Sequence, residues 1–172
     1  FSSDRGSTWT AEDVTIVPNE GEQNVMSVSL LRLEEEIALF YLVKNSLADT
    51  RPMMRLSTDE GATWSEPVEM IPDEQIGYYV LNNDRVVQLA SGRLVAPVSQ
   101  HAAADRKWDA HGHIMYYLSD DEGRTWRRSG SVLKPVETEK GAVIFQEPGV
   151  VEVSPERLLS FIRTDAGTQY YS

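Results

Sequence analysis

One octapeptide, met three times, constrains this chain more than any other feature. Ser2–Trp9 reads SSDRGSTW, Ser57–Trp64 reads STDEGATW and Ser119–Trp126 reads SDDEGRTW. Each copy holds Asp, Gly and Trp in the same relative places: Asp4, Gly6 and Trp9, then Asp59, Gly61 and Trp64, then Asp121, Gly123 and Trp126. An Asp carboxylate can accept hydrogen bonds from the amides of its own turn, the Gly two residues on can take a positive φ, and Thr–Trp restarts an extended chain. The copies therefore predict a recurring β-hairpin turn, with each Trp anchoring its hairpin in apolar packing. The tryptophans lie 55 and 62 residues apart, room for about four strands per repeat. No copy supplies the alternating oxygen ligands and closing Glu of an EF-hand, so the loops read as structural turns and not as calcium sites.

Between the octapeptides the chain reads as short strands. In one unit these are Val25–Leu33, Ile37–Val43, Pro52–Leu56 and Trp64–Ile71; in the next they are Arg85–Leu89, Leu94–Ser99, His113–Leu118 and Trp126–Leu133. A further unit opens with Gly149–Val153 and Leu158–Ile162 across a turn at Ser154–Arg157. No long segment holds a helical period, so the fold class is all-β, and repeated four-stranded units predict the blades of a β-propeller. The expected division is the last strand of one blade at 9–17, whole blades at 25–71 and 85–133, and the start of another at 149–172. A propeller closes with at least about four blades, so the chain is expected to be part of a longer polypeptide.

Composition narrows the function. Asp and Glu number 27 against 16 Lys and Arg, a net charge of −11 with no basic block, the wrong sign for neutralising nucleic-acid phosphates. No apolar run approaches the roughly 18 residues of a membrane span. The absence of cysteine removes disulfides, thiolate zinc sites and cysteine catalysis. His111 and His113 alternate along one strand, but no third ligand converges on them, so neither metal nor cofactor is expected.

Hairpin geometry gives function a direction. Reflection through the Ser154–Arg157 turn brings Glu147 beside Arg163. The same operation about Ser91–Gly92 brings Asn82, Asn83, Asp84 and Arg85 beside Val98–His101, and in the first whole unit it brings Gln23 and Asn24 beside Asn45 and Ser46. All three polar groups fall at one end of the strands and the octapeptides at the other. The connections 45–51, 100–112 and 164–169 rise over the polar end, where loops on a rigid scaffold carry binding groups. Glu147, after an apolar run and before a proline, suits a partly buried base, though an exposed loop carboxylate reads the same. Arg163 and Arg85 are either strand-end surface charges or anion clamps. His101 is a loop residue or a ligand contact, and Tyr78, Tyr79 and Trp108 either pack a core or cover the apolar face of a sugar.

The octapeptides resemble the Asp-box, or BNR, repeat. The whole segment resembles the central part of the sialidase (neuraminidase) superfamily, through YYVLNNDRVVQLASGRLVAP, HIMYYLSDDEGRTW and QEPGVVEVSPERLLSFIRTDAGTQYYS. That resemblance implies a six-bladed β-propeller and an exo-α-sialidase type of glycoside hydrolase that removes a terminal acidic sugar. It implies that Glu147 is catalytic, raising the nucleophilicity of a tyrosine hydroxyl, and that Arg163 is one of three arginines on the substrate carboxylate. Arg85, Asn82, Asn83, His101 and Trp108 are the further expected substrate contacts. The general acid and first arginine are expected before Phe1, and the third arginine and the nucleophile after Ser172, because Tyr170 and Tyr171 follow Arg163 too closely. The implied partners are the terminal sugar of a glycan and the remaining blades, in a secreted or periplasmic protein. Two alternatives stand beside this one: a non-catalytic carbohydrate-binding propeller, and a related glycosidase acting on another sugar.

Overall fold

The computed structural model describes residues 1–167 and the strand backbone of Tyr170–Tyr171; residues 168, 169 and 172, at the end of the expected unit 149–172, lie outside it. The first four strands form an antiparallel meander: β1 (Asn24–Arg32), β2 (Ile37–Lys44), β3 (Thr50–Ser57) and the short β4 (Val68–Glu69). β2 explains how the layers stack. Its sequence IALFYLVK is apolar in both phases of a period-2 alternation, so both of its faces must be covered. Ala38, Phe40 and Leu42 enter one core with Met54, Leu81, Leu94, Val98 and Tyr117, and so pack the first unit on the second. Leu39, Tyr41 and Val43 enter another with Met53, flanked by Val17, Val25 and Trp64. Glu20 fastens the amino-terminal segment over this second core, accepting from the Tyr41 hydroxyl at 3.0 Å and from Arg55 Nη2 at 2.5 Å. Burial is the main reason the Tyr41 hydroxyl is pushed up to about 12.

The second unit is centred on β7 (Leu94–Ala103). It pairs with β5 (Gly77–Val80), β6 (Val87–Gln88) and β8 (His113–Ser119), and β8 pairs with β9 (Arg127–Leu133). A parallel bridge between Thr50 and Tyr78 joins the two units. A hairpin of β10 (Glu137–Thr138) and β11 (Gly141–Ala142) leads to a third sheet of β12 (Phe145–Ser154), β13 (Arg157–Thr164) and β14 (Tyr170–Tyr171). This sheet packs on the second unit through Ile114, Val143, Phe145 and Ile162. The Tyr116 hydroxyl donates across the same seam to Ser160 Oγ at 2.5 Å. The architecture is thus all-β and layered, built from open sheets.

The three octapeptides fold alike. In the second, the Asp59 carboxylate accepts from the Thr63 amide at 2.8 Å, the Thr63 hydroxyl at 2.6 Å and the Ser57 hydroxyl at 2.8 Å, while the Gly61 amide donates to Ser57 Oγ. The same bonds recur around Asp4 and Asp121. Gly6, Gly61 and Gly123 have φ of 86°, 85° and 89°, a region that a side chain would oppose. These donors hold Asp4 down to about 2, the Thr8 amide contributing most. The tryptophans differ. Trp126 packs edge-on to Phe40 and its Nε1 donates to the Gly123 carbonyl at 2.9 Å; Trp64 is partly buried, and its Nε1 has no hydrogen-bond partner among the described residues. Trp9, expected in apolar packing, is 72 % exposed.

Four expectations about strands are corrected. Residues 9–17 form no strand: no described strand flanks them to take their backbone bonds, and Val14 and Ile16 stay exposed. The strand expected over Trp64–Ile71 is only Val68–Glu69, because Pro67 brings no N–H to the ladder. The first strand of the second unit starts at Gly77, breaks at Leu81–Val86 and resumes at Val87, where a single run from Arg85 was expected. The break also shifts the register, so Ser99 faces Val80 and Gln100 faces Tyr79, not Asp84 and Asn83.

A second recurrence accompanies the octapeptides. Six non-glycine residues among those described have positive φ. Three are the octapeptide residues Arg5, Glu60 and Glu122; the others are Ser27, Asp84 and Glu147, each in the first strand of a unit or in its interruption. Ser27 and Val28 stand opposite the single residue Tyr41, and Glu147 and Pro148 opposite Ile162, so β1 and β12 are bulged at equivalent places.

Candidate functional site

The two ends of the strands are built differently. At the octapeptide end, ion pairs close the turns against one another: Arg93 to Asp120 at 2.5 Å, Arg124 to Glu36 at 3.1 Å, and Arg32 to Glu60. Glu152 also accepts there from the Ala90 amide at 2.8 Å. The opposite end carries the longer connections, with Glu147 and Arg163 among them, as the hairpin registers require.

Glu147 sits in the β12 bulge with φ of 50°. A bulge opposes two residues to one and re-aims the side chain of the extra residue. Arg163 on β13 pairs in register with Gln146, and its Nε lies 3.0 Å from Glu147 Oε2, while its Nη2 donates to Gln146 Oε1. The expected juxtaposition of Glu147 and Arg163 is therefore present. Their side chains are 40 % and 54 % exposed, and an ion pair that open to water adds little to stability. The fold gains little from it, and solutes reach it. Gln146, which sequence reasoning passed over, links this pair to the 104–112 connection by donating to the Ala110 carbonyl at 3.4 Å. Its place directly before Glu147 in QEP was the available signal.

His101 is corrected from a substrate contact to a buried support. It is 5 % exposed, its Nδ1 is 2.8 Å from the Asp109 carbonyl and its Nε2 is 3.0 Å from Ser99 Oγ. A carbonyl can only accept, so Nδ1 carries the proton and Nε2 accepts from the serine hydroxyl. Burial lowers its pKa, outweighing the Asp109 carbonyl, and the Arg106 charge pushes the same way. Trp108 stacks on this ring, with centroids 6.1 Å apart and planes 22° apart, and Tyr78 meets both rings edge-on. Gly112 is required where the strand passes beneath, since a Cβ there would overlap Ser99 Oγ and the Phe145 carbonyl. His111, half-buried on the same connection, behaves oppositely. Its Nδ1 lies 2.6 Å from Asp109 Oδ1 and its Nε2 3.2 Å from the Ala142 carbonyl, and the Asp109 hydrogen bond raises its pKa.

The remaining expected contacts sit between units. Asn83 Nδ2 donates to the Val28 carbonyl at 2.7 Å, tying the interrupted strand to the β1 bulge. Arg85 lies over the Phe161 ring at 5.1 Å, and its Nε is buried without a hydrogen-bond partner among the described residues, as is Asn82 Oδ1. Asn82, Asn83 and Arg85 are therefore not beside His101, where reflection about Ser91–Gly92 placed them. Asn83 and Arg85 bridge the interrupted first strand of the second unit to its neighbours on either side.

The class these observations define is an all-β protein of repeated sheet units joined through recurring Asp–Gly–Thr–Trp turns. Residues 1–172, the whole chain, match the BNR repeat-like domain, and the chain belongs to that family. Among solved structures, a protein of unknown function from Dyadobacter fermentans aligns with a TM-score of 0.67 at 21 % identity, over 93 % of this chain and 49 % of its own. The Trypanosoma rangeli sialidase in complex with sialic acid aligns with a TM-score of 0.69 at 19 % identity, over 99 % of this chain and 30 % of its own. The same sialidase with 2,3-difluorosialic acid, a covalent intermediate, aligns at 0.68. The chain thus spans about half of the first protein and under a third of the second, and at these identities the likeness establishes the fold. No curated protein matches the sequence.

Proposed function

We propose that this chain is part of the catalytic propeller of a sialidase-like glycoside hydrolase that removes a terminal acidic sugar from glycoconjugates. One observation carries the reading: the Glu147–Arg163 pair, held 3.0 Å apart by a bulge at the loop-bearing end, in the two positions the sialidase resemblance singles out. The fold likeness to a sialidase solved with sialic acid supports it. In this reading the three octapeptides are Asp-boxes of a six-bladed propeller, the other blades complete the ring, and the protein is secreted or periplasmic, where glycans are met.

The chemistry follows from charge. The anomeric carbon of an acidic keto-sugar already bears a carboxylate, which repels an anionic nucleophile, so a neutral tyrosine serves and the reaction retains configuration through a covalent intermediate. Glu147 takes the phenolic proton as general base while the tyrosine oxygen bonds the anomeric carbon; the glycosidic bond breaks, the leaving oxygen takes a proton from a general acid elsewhere in the propeller, and water then releases the sugar from the tyrosine. The Arg163 guanidinium offers its planar donor edge to the sugar carboxylate. Arg85, with no carboxylate partner among the described residues, and Asn82 and Asn83 beside it, supply further polar contacts.

The test is turnover by the full-length protein on fluorogenic α-sialosides and uronides. Glu147→Gln is expected to lower the chemical step by roughly 10² to 10⁴-fold, the range for a lost general base, without matching loss of ground-state binding. Full activity in that variant would remove Glu147 from the mechanism. Glycan binding by a wild-type protein that never turns over would leave a carbohydrate-binding propeller.

A further inference from the structure

The two nitrogens of the His111 ring face oxygens that can only accept. Nδ1 lies 2.6 Å from Asp109 Oδ1, and Nε2 lies 3.2 Å from the Ala142 carbonyl. A neutral imidazole carries a single N–H and satisfies one of these oxygens; the imidazolium donates to both. Asp109 is committed to its charged form, because the His111 amide and ring hold its carboxyl below the usual carboxylate range. The arrangement therefore selects a His111 that carries two protons. Its side chain and that of Asp109 are 37 % and 52 % exposed, too open to water for the pair to add much stability.

What the ring joins gives it a use. Asp109 belongs to the connection over the loop-bearing end, and Ala142 closes β11, which leads directly into β12 and Glu147. Beside His111, the Ala110 carbonyl accepts from Gln146 Nε2 at 3.4 Å, and Gln146 Oε1 accepts from Arg163, whose Nε meets Glu147. From the other side Asp165 accepts from the Ile144 amide at 2.9 Å, in the segment between β11 and β12. Of the charges on the surrounding elements, Asp109 and Asp165 favour the imidazolium, and Arg106 acts on Asp109. Asp105 and Lys107 on the connection offset each other, and the β10–β11 hairpin brings Glu137, Glu139 and Lys140. His101 and His113, both lowered by burial, are uncharged at neutral pH.

We propose that His111 is a positioning residue for the Glu147–Arg163 site, a proton-operated latch that holds the 104–112 connection against the segment entering β12 and releases it when the ring becomes neutral. Its effect on substrate rests on the glycoside-hydrolase reading above. Neither an arginine nor a sugar carboxylate changes charge between about pH 6 and 9, so Arg163 by itself gives a flat KM there. With the latch, KM rises on the alkaline side as the Gln146–Arg163 contact loosens. The Asp109 hydrogen bond raises the His111 pKa from 6.5, so release comes at a pH where His101 and His113 are already neutral.

The test uses the full-length protein labelled with ¹⁵N-histidine and ¹⁵N-glutamine, titrated by NMR across about pH 5 to 9, with KM for a fluorogenic α-sialoside measured over the same range. The His111 midpoint is expected above 6.5, with the Gln146 side-chain amide shifting at the same pH. KM should rise about 3- to 10-fold through that midpoint, the scale of one lost hydrogen bond. Asp109→Asn should move the midpoint, the Gln146 shift and the KM rise together to lower pH. His111→Gln should abolish both steps and leave KM flat near the alkaline wild-type value; if it fails to fold, Asp109→Asn decides. A midpoint at or below 6.5, a Gln146 resonance that ignores it, or a KM step that stays in place in Asp109→Asn overturns the proposal. Should the protein turn over no sialoside or uronide, the functional reading fails and the Gln146 resonance alone judges the latch. Turnover with a KM indifferent to His111 removes the latch and leaves that reading intact.

Discussion

Replacing His101 with alanine separates what the ring contributes as a hydrogen-bonding group from what it contributes as a stacking surface. The native ring is 5 % exposed and engages Ser99, the Asp109 carbonyl, Trp108 and Tyr78. Truncation forfeits two ring contacts, each about 0.5 to 1.5 kcal/mol. Ser99 can turn its hydroxyl fully to the Phe145 carbonyl, 3.5 Å away, and Asp109, exposed, can offer its carbonyl to water, so only part of the penalty of about 1 to 3 kcal/mol per orphaned group remains. The expected loss is about 2 to 4 kcal/mol at neutral pH, read from urea unfolding. The pH dependence adds a second readout. Burial lowers the folded pKa of His101, so its neutral form stabilises fully above the unfolded value near 6.5, and that contribution fades as pH falls toward the folded value. His113 has the same sign, again through burial, whereas His111, raised by Asp109, stabilises below 6.5 and loses its contribution as pH rises through its folded value. The His101→Ala protein should therefore lose less stability than wild type between pH 7.5 and 5.5. A cost under about 0.5 kcal/mol, the range of ordinary surface substitutions, or an unchanged acid-side slope, would refute this account of the ring.

Two further outcomes follow from the scaffold. Leu42→Ala empties a fully buried position between the first two units and should cost about 2 to 5 kcal/mol in urea unfolding, while Val151→Ala, on an exposed sheet face, should cost far less. Asp4, held at about 2 by the Thr8 amide, the Thr8 hydroxyl and Ser2, should titrate near that value in carboxyl NMR. Its bonds stabilise above the unfolded value and are lost only as pH falls through about 2, so a midpoint near 3.8 would deny the turn its role.

Much of this was legible in the chain. Three octapeptides fixed three identical turns because their bonds are local, each spanning four residues. The Glu147–Arg163 contact was legible because a short turn sets hairpin register, and the two register shifts along the hairpin, at Glu152–Ser154 and at the Glu147 bulge, displaced the pairing by only two residues. The interruption at Leu81–Val86 was not. It is stabilised by groups distant in sequence, Asn83 by Val28 and Arg85 by Phe161, so no local pattern announces it. His101 was misread for a similar reason. A polar ring after an apolar strand looks solvated until the Asp109 backbone, eight residues on, comes back to meet it. Trp9 and residues 9–17 carry strand-like sequence, but a strand is a property of its neighbours, and none of the described residues pairs with this one.

The left-handed residues Ser27, Asp84 and Glu147 have an implication for how such a chain can diversify. Backbone in this region costs a non-glycine residue on the order of 1 to 3 kcal/mol, so folding alone would favour glycine or asparagine in all three places. The kink belongs to the repeat, set by pairing on both sides of it, while the side chain mounted there is not: it is a hydroxyl in one unit, a carboxylate on a short stem in the next and a carboxylate on a longer stem in the third. Each repeat thus carries a socket of fixed orientation into which a different reagent can be set by a single codon change, with the strain already borne by the scaffold.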